Sequence, residues 1–129
     1  MTIRLRHLDK ALERRHEIAE IYNDALGELR NITLPTYEEN RVNAYWLYPI
    51  YVPRRRDSFA EYMQDNGIQV DKHNDRNDKY SIFGGLRNDL PNTERIDRDI
   101  VHIPIHPALT KEEVQEVIRR IRIWNRSVK

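Results

Sequence analysis

The segment His73–Asp78 gathers more chemically useful side chains than any other part of the chain. It places an imidazole, two amides and a guanidinium close together, with a phenol following at Tyr80. Such groups hydrogen-bond sugar hydroxyls and phosphate oxygens. An equally good interpretation is a polar loop whose side chains bond its own turns. The candidate substrate-binding residues are His73, Asn74, Arg76, Asn77 and Tyr80.

Metal ions fit the same region poorly. Asp71, Asp75 and Asp78 are spaced like the start of a calcium loop, but the mid-loop glycine and the later bidentate glutamate are missing. His73 with His102 and His106 makes a weak zinc pattern, and a structural role for His106 before Pro107 fits better. We therefore predict no metal site.

No lysine has the surroundings of a catalytic amine. Lys72 and Lys79, in the polar segment, each follow an aspartate, and a neighbouring carboxylate raises the pKa of an ammonium group. A lysine that forms a Schiff base needs a lowered pKa. We therefore expect both to be solvated charges and predict no catalytic residue in this chain.

Three other patterns have simpler interpretations than a binding site. Arg54-Arg55-Arg56 follows a strand and is most simply a solvated turn, although it has the charge to bind phosphate. The aromatic residues of segment 45–51 alternate as in a strand with one core face. The last helix is rich in arginine, but 22 basic against 21 acidic residues, a formal charge of +1, argue against nucleic acid as a partner.

Composition limits the class of protein. The 129 residues suit one domain, expected to comprise residues 1–129. The chain has no cysteine, which excludes disulfides and thiol chemistry and is typical of a reducing compartment. Its apolar runs are far shorter than the roughly 20 residues needed to cross a bilayer, and the charged start does not look like a signal peptide. We expect a cytoplasmic protein with no membrane partner.

The first secondary-structure element that the sequence predicts is a helix. Apolar residues recur every three or four positions from Thr2 to Arg30, which predicts one long amphipathic helix, longer than so small a core requires. Residues Asn43–Val52 predict a strand, with Pro49 at an edge or bulge. Asp57 or Ser58 is expected to cap a short helix through Asn66, and Gly67 to end it in a left-handed conformation.

The second half predicts a loop framed by short elements. Ile68–Val70 predicts a second strand and Asp71–Asn92 a long loop of the kind that often carries function. A short helix is expected after Thr93, and Val101–Ile105 predicts a third strand. Thr110, with a glutamate three residues on, predicts a capping box at the start of the last helix. The expected fold class is α+β, a three- to four-stranded mixed or antiparallel sheet with helices mainly on one face, preceded by the long helix.

Five blocks occur in a set order along almost the whole chain: residues 8–22, Ala44–Ile50, 56–68 with Asn66-Gly67-Ile68, 73–93 with Phe83-Gly84 and Asp89-Leu90-Pro91, and 103–114. Together they resemble the C-terminal small domain of the DegT/DnrJ/StrS family, PLP-dependent nucleotide-sugar aminotransferases of the aspartate-aminotransferase fold. The resemblance implies a linking helix over residues 1–30, a sheet-and-helix core over residues 43–129, and an active-site-facing loop that contains His73. These residues hold no counterpart of the family's large domain, with its cofactor lysine.

The resemblance implies a detached or truncated part of an aminotransferase that is not catalytic alone. PLP would belong to the complete enzyme, and no cofactor would be bound by this chain alone. The implied partners are a large-domain chain, a second copy of this chain and a nucleotide sugar. The alternative is a non-catalytic module that binds a nucleotide sugar or another protein. A detached part would expose an apolar stripe on its first helix, whereas a binding module would hold a sugar nucleotide without PLP.

Overall fold

The computed structural model describes residues 7–38, 40–72 and 75–128. Within them the chain forms four α-helices, two strands and two short 3-10 helices. In order these are α1 (Leu8–Leu26), β1 (Tyr48–Tyr51), α2 (Arg56–Asp65), 3-10 helices at Asn77–Lys79 and Ser81–Phe83, α3 (Pro91–Asp99), β2 (Ile100–Ile103) and α4 (Lys111–Ser127). The α+β class is confirmed. None of the described helices is long and apolar enough to cross a membrane.

The first helix is shorter at its C-terminal end than predicted. It ends at Leu26, and not at Arg30; the predicted Thr2–Arg6 lies outside the described residues. Asn31 donates two hydrogen bonds to Asn125 on α4: its backbone N–H bonds the side-chain oxygen at 3.0 Å, and its side-chain amide bonds the backbone carbonyl at 3.2 Å. These bonds hold the chain against α4, so the helix cannot continue. Gly27 also favours its end.

The two strands pair antiparallel, with Tyr48 opposite Ile103 and Tyr51 opposite Ile100. On the other side of β1, Tyr51 exchanges two backbone hydrogen bonds with Thr33 at 2.9 Å each. Bonding sites on one side of a strand recur every second residue, so the next pair there is Pro49 opposite Pro35. Neither proline has an N–H, and only a single bridge forms. The nitrogen of Pro49, which carries no hydrogen, thus faces away from β2, as expected at an edge.

The expected three- to four-stranded sheet is not confirmed. On the far side of β2, Asp71 exchanges backbone bonds with His102 at 3.0 and 2.7 Å, but residues Ile68–Val70 form no strand. The next bonding pair there would be Gln69 opposite Pro104, which has no N–H. The described part of the chain therefore has a two-stranded sheet with one isolated bridge on each side.

The predicted first strand is too long at its start. Residues 43–47 are irregular because Tyr45 has a left-handed φ of 46° and its N–H donates to the Asn43 side chain at 2.8 Å. The predicted third strand begins one residue earlier, at Ile100, and stops before Pro104. Its pairing with β1 ends at Ile103 because β1 begins at the opposite residue, Tyr48.

The short helices differ from prediction in their starts. The N-cap of α2 is Arg55, not Asp57 or Ser58, and the Ser58 hydroxyl donates to the Arg55 carbonyl instead. Gly67 takes the expected left-handed φ of 76°. Helix α3 begins before Thr93, with Pro91 in its first turn, where the missing N–H costs nothing.

One face of the sheet and the helices share a single core. Paired residues on two strands point to the same side, and Tyr48, Ile50, Val101 and Ile103 all lie in this core. The capping box of α4 is confirmed: the Thr110 hydroxyl accepts from the Glu113 N–H at 3.1 Å, and the Glu113 carboxylate from the Thr110 N–H at 2.8 Å. The predicted inner face of α4 is buried at Val114, Val117, Ile118, Ile121 and Trp124.

Candidate functional site

The candidate site lies on the segment between Asp71 and α3. The chain there turns through the two 3-10 helices, and Gly84 and Gly85 both take left-handed φ angles, 93° and 86°. Glycine adopts these angles without the steric cost that a side chain would bring. His73 and Asn74, two of the predicted contacts, lie outside the described residues.

A buried ion pair forms the base of this segment. The Arg76 Nε donates to Asp78 Oδ1 at 2.9 Å and its Nη2 to Oδ2 at 2.5 Å, and the two side chains are only 7% and 11% exposed. The Arg76 guanidinium, followed by the backbone N–H of Arg87, lowers the pKa of the Asp78 carboxyl to about 2. The same pairing raises the pKa of Arg76. Both groups are therefore charged at neutral pH.

The ion pair also binds a residue further along the chain. The backbone N–H of Arg87 donates to Asp78 Oδ2 at 2.9 Å, and its carbonyl accepts from Arg76 Nη2 at 2.7 Å. Both polar groups of one residue are thus held by the pair, which closes residues 79–86 into a loop with a narrow neck. We call residues 79–86 the tip loop, and Arg76, Asp78 and the peptide groups of Arg87 its clamp.

The predicted contacts are divided between the clamp and the surface. Arg76 is buried in the clamp, whereas Asn77 and Tyr80 are exposed beside it, joined by a bond from the Tyr80 N–H to the Asn77 carbonyl at 3.1 Å. The structure brings these three together at the neck. Asp78 was not among the predicted contacts, although its position two residues after Arg76 could have indicated an ion pair. No feature of the local sequence indicated a role for Arg87.

The tip loop carries apolar side chains into solvent. Ile82 is 84% exposed, Phe83 63% and Leu86 66%. Its base is tied to α3 by Lys79, whose ammonium group lies 2.9 Å from Asp97. Exposed apolar residues grouped in this way are typical of a surface that contacts a ligand or another protein.

The described lysines do not fit the PLP cofactor. Lys79 pairs with Asp97 and Asp75, which raises its pKa, and Lys72 pairs with Asp57 at 3.2 Å. Lys10 and Lys111 are exposed on helices. A Schiff-base lysine needs the opposite environment, a buried amine with a lowered pKa. None of the described lysines is buried in this way.

The remaining candidates are mostly occupied by structural contacts. Arg56 bonds the Asp97 carbonyl, and the Arg54 N–H donates to Asp99 at 3.1 Å from a left-handed backbone with φ 60°. Arg98 lowers the pKa of Asp99 and pairs with it at 2.8 Å. The described residues hold no group of three metal-binding side chains. Of the arginines on α4, Arg119 and Arg120 pair with Glu116, and Arg122 donates to the Ala25 carbonyl.

An open groove of about 470 Å³ lies where Ile68–Val70 separates from β2 beyond Pro104. Trp46, 74% exposed, stands at this groove. Two of its acidic side chains already have partners, because Glu113 belongs to the capping box and Glu116 pairs with two arginines. The neck of the tip loop is therefore the stronger candidate site.

Comparison with known proteins connects this chain to one family. A family model described as the DegT/DnrJ/EryC1/StrS aminotransferase family matches residues 1–122. The chain is 29% identical to the dTDP-3-amino-3,6-dideoxy-alpha-D-galactopyranose transaminase of Aneurinibacillus thermoaerophilus, over 94% of this chain and 33% of that protein. It is 31% identical to the dTDP-4-dehydro-2,3,6-trideoxy-D-glucose 4-aminotransferase of Saccharopolyspora spinosa, over 90% of this chain and 30% of that protein.

Solved structures with a similar fold include a sugar aminotransferase. The sugar aminotransferase CalS13 from Micromonospora echinospora superposes with a TM-score of 0.86 at 30% identity, over 92% of this chain and 32% of that one. The chain therefore spans about a third of the length of the relatives it matches.

Proposed function

Since this chain belongs to the DegT/DnrJ/EryC1/StrS aminotransferase family, we propose that it is the C-terminal small domain of a PLP-dependent nucleotide-sugar aminotransferase and does not catalyse on its own. Residues 1–129 form one domain in this proposal. The rest of the enzyme is supplied by the same longer polypeptide or by a separate large-domain chain. The complete enzyme transfers an amino group to a keto sugar nucleotide, and the relatives' names favour a dTDP-sugar.

One observation carries the proposal: almost the whole chain superposes on only a third of a sugar aminotransferase. The chemistry of the lysines supports it, because each described lysine lies at the surface or pairs with a carboxylate. In this proposal the cofactor and the amine that binds it come from the rest of the enzyme.

The contribution of this chain is to the sugar-nucleotide side of the site. Exposed amide and phenol groups at Asn77 and Tyr80 suit hydroxyl and phosphate oxygens. His73 and Asn74 remain part of the proposed contact set. Together these residues orient the substrate, a role for which hydrogen-bonding side chains are suited.

Reconstitution tests the proposal. The first two thirds of the Aneurinibacillus thermoaerophilus transaminase are joined to this chain, or co-expressed with it, and assayed with PLP, glutamate and a dTDP-keto sugar. We expect amino-sugar product from the combination and none from either part alone. Turnover by this chain alone would contradict the non-catalytic assignment. An inactive combination that folds and binds PLP would contradict the small-domain assignment.

A second candidate is a binding module that acts without turnover. The exposed apolar side chains of the tip loop favour it, since they offer a surface to a partner. In that case the chain alone should bind a dTDP-sugar, measured by calorimetry, and the N77A/Y80A variant should not. Loss of the apolar exposure on assembly with a large domain would instead favour the small-domain proposal.

A further inference from the structure

The clamp explains why Arg76 need not touch a ligand. Its guanidinium makes two bonds to Asp78 and one to the Arg87 carbonyl, and only 7% of its side chain is exposed. An arginine has five N–H donors in a fixed plane. Three bonds in a buried pocket hold that plane inward, so little of it remains for an oxygen in solvent.

The clamp acts on both backbone polar groups of Arg87, the residue that follows the tip loop. Asp78 accepts from the Arg87 N–H while Arg76 donates to its carbonyl, so the side-chain pair binds Arg87 as a neighbouring strand would. Charge-assisted hydrogen bonds in a buried setting are about twice as strong as neutral ones. The neck is therefore the most strongly held point of this segment.

Inside the tip loop the bonds are weaker. Apart from the Lys79–Asp97 ion pair at its base, it is held by single-turn bonds, from the Phe83 N–H to the Tyr80 carbonyl and from the Gly84 N–H to the Ser81 carbonyl, each 3.0 Å. Most of its residues are exposed. Short 3-10 turns have poor hydrogen-bond geometry. Without a fixed neck, the loop would sample many conformations.

We propose that Arg76 and Asp78 are positioning residues: their buried pair flanks Asn77, fixes Arg87 and holds the tip loop in one conformation, and so presents Asn77 and Tyr80 to the substrate. The part that concerns substrate rests on the proposed function, whereas the hold on the loop does not. Arg76 thus acts through the loop and makes no substrate contact of its own.

Hydrogen exchange of the 129-residue chain tests the hold on the loop. Asp78→Asn keeps the shape of the side chain and removes its charge, and we expect exchange at residues 79–87 to become about 10- to 100-fold faster, the factor for one or two lost charge-assisted bonds. The matched control is Asp89→Asn, which removes an exposed carboxylate 2.6 Å from the Arg87 side chain and leaves the clamp intact. Equal exchange in D78N, D89N and the natural chain overturns the proposal.

A second variant covers a failure of D78N to fold. Arg76→Met with Asp78→Leu removes both charges together, and replacing a buried ion pair by apolar residues is often tolerated. Core exchange in α4 should stay at its natural rate while the tip loop opens. If the tip loop keeps its natural protection in this double variant, the clamp does not hold it.

Steady-state kinetics of the reconstituted enzyme test whether the clamp affects substrate binding. D78N should raise KM for the dTDP-keto sugar about tenfold with little change in kcat, and adding Arg76→Lys should cost nothing further, because both variants open the same neck. A separate additional loss from R76K would mean that Arg76 contacts substrate and would overturn its positioning role. An inactive natural combination would instead refute the proposed function, with the exchange experiment still deciding the clamp.

Discussion

Replacing Ile121 in the closing helix by alanine should destabilise the protein by about 3 kcal/mol. Ile121 is fully buried in the core face of α4. The change removes three carbon atoms, which at about 0.8 kcal/mol each gives roughly 2.4 kcal/mol of lost transfer free energy. The unfilled cavity adds to this figure and brings it to about 3 kcal/mol.

The control lies two residues further along the same helix. Ile123 is 40% exposed, and its replacement by alanine should cost less than about 1 kcal/mol, since little area is uncovered and alanine favours a helix slightly. Urea unfolding followed by far-UV circular dichroism measures both free energies. In a thermal scan, a loss of 3 kcal/mol should lower Tm by roughly 12 °C.

The two variants together test the orientation of α4. If I121A and I123A lose the same free energy, the helix does not bury the face described here, and the core is assembled differently. A change in the urea dependence of either variant would show that the unfolded state had changed as well, and the comparison would then be made on Tm.

Two further predictions concern stability. Thr110→Ala should lower the free energy of unfolding by about 1 kcal/mol because the Glu113 N–H loses its acceptor. In urea titrations, adding Glu113→Ala to this variant should cost less than Glu113→Ala costs by itself. Fully additive costs would argue against the capping box. Acid should destabilise the chain, because folding lowers the pKa of Asp78 and Glu116 to about 2 and also lowers the pKa of Asp57, Asp89 and Asp99, so the native state binds fewer protons than the unfolded state. Their contribution to stability is complete above about pH 5 and is lost as pH falls. Glu116→Gln should reduce the drop in Tm between pH 7 and pH 3 relative to the control Glu112→Gln, and an equal drop in both would show that its arginine partners contribute nothing.

The acidic surroundings of two lysines could be predicted from the composition of the chain around them. Lys72 and Lys79 each follow an aspartate, and in the structure both pair with carboxylates, two of them, Asp57 and Asp97, from distant positions. The aspartates next to each lysine in the sequence thus indicated acidic surroundings, but they did not indicate which carboxylates would pair with the lysines. The role of Arg76 was different, because a guanidinium that looks available in sequence is taken by Asp78 and Arg87 once the loop closes.

Local signals determined the elements that depend on a few adjacent residues. The capping box at Thr110, the spacing of apolar residues along α4 and the left-handed Gly67 all follow from side-chain chemistry within one or two helical turns. Tertiary structure decided where pairing and helices stop. Whether Pro35 and Pro104 interrupt a ladder depends on the strand register, and α1 ends at Leu26 while Asn31 bonds Asn125, 94 positions away. No local pattern encodes such contacts, because they exist only after distant parts of the chain have packed together.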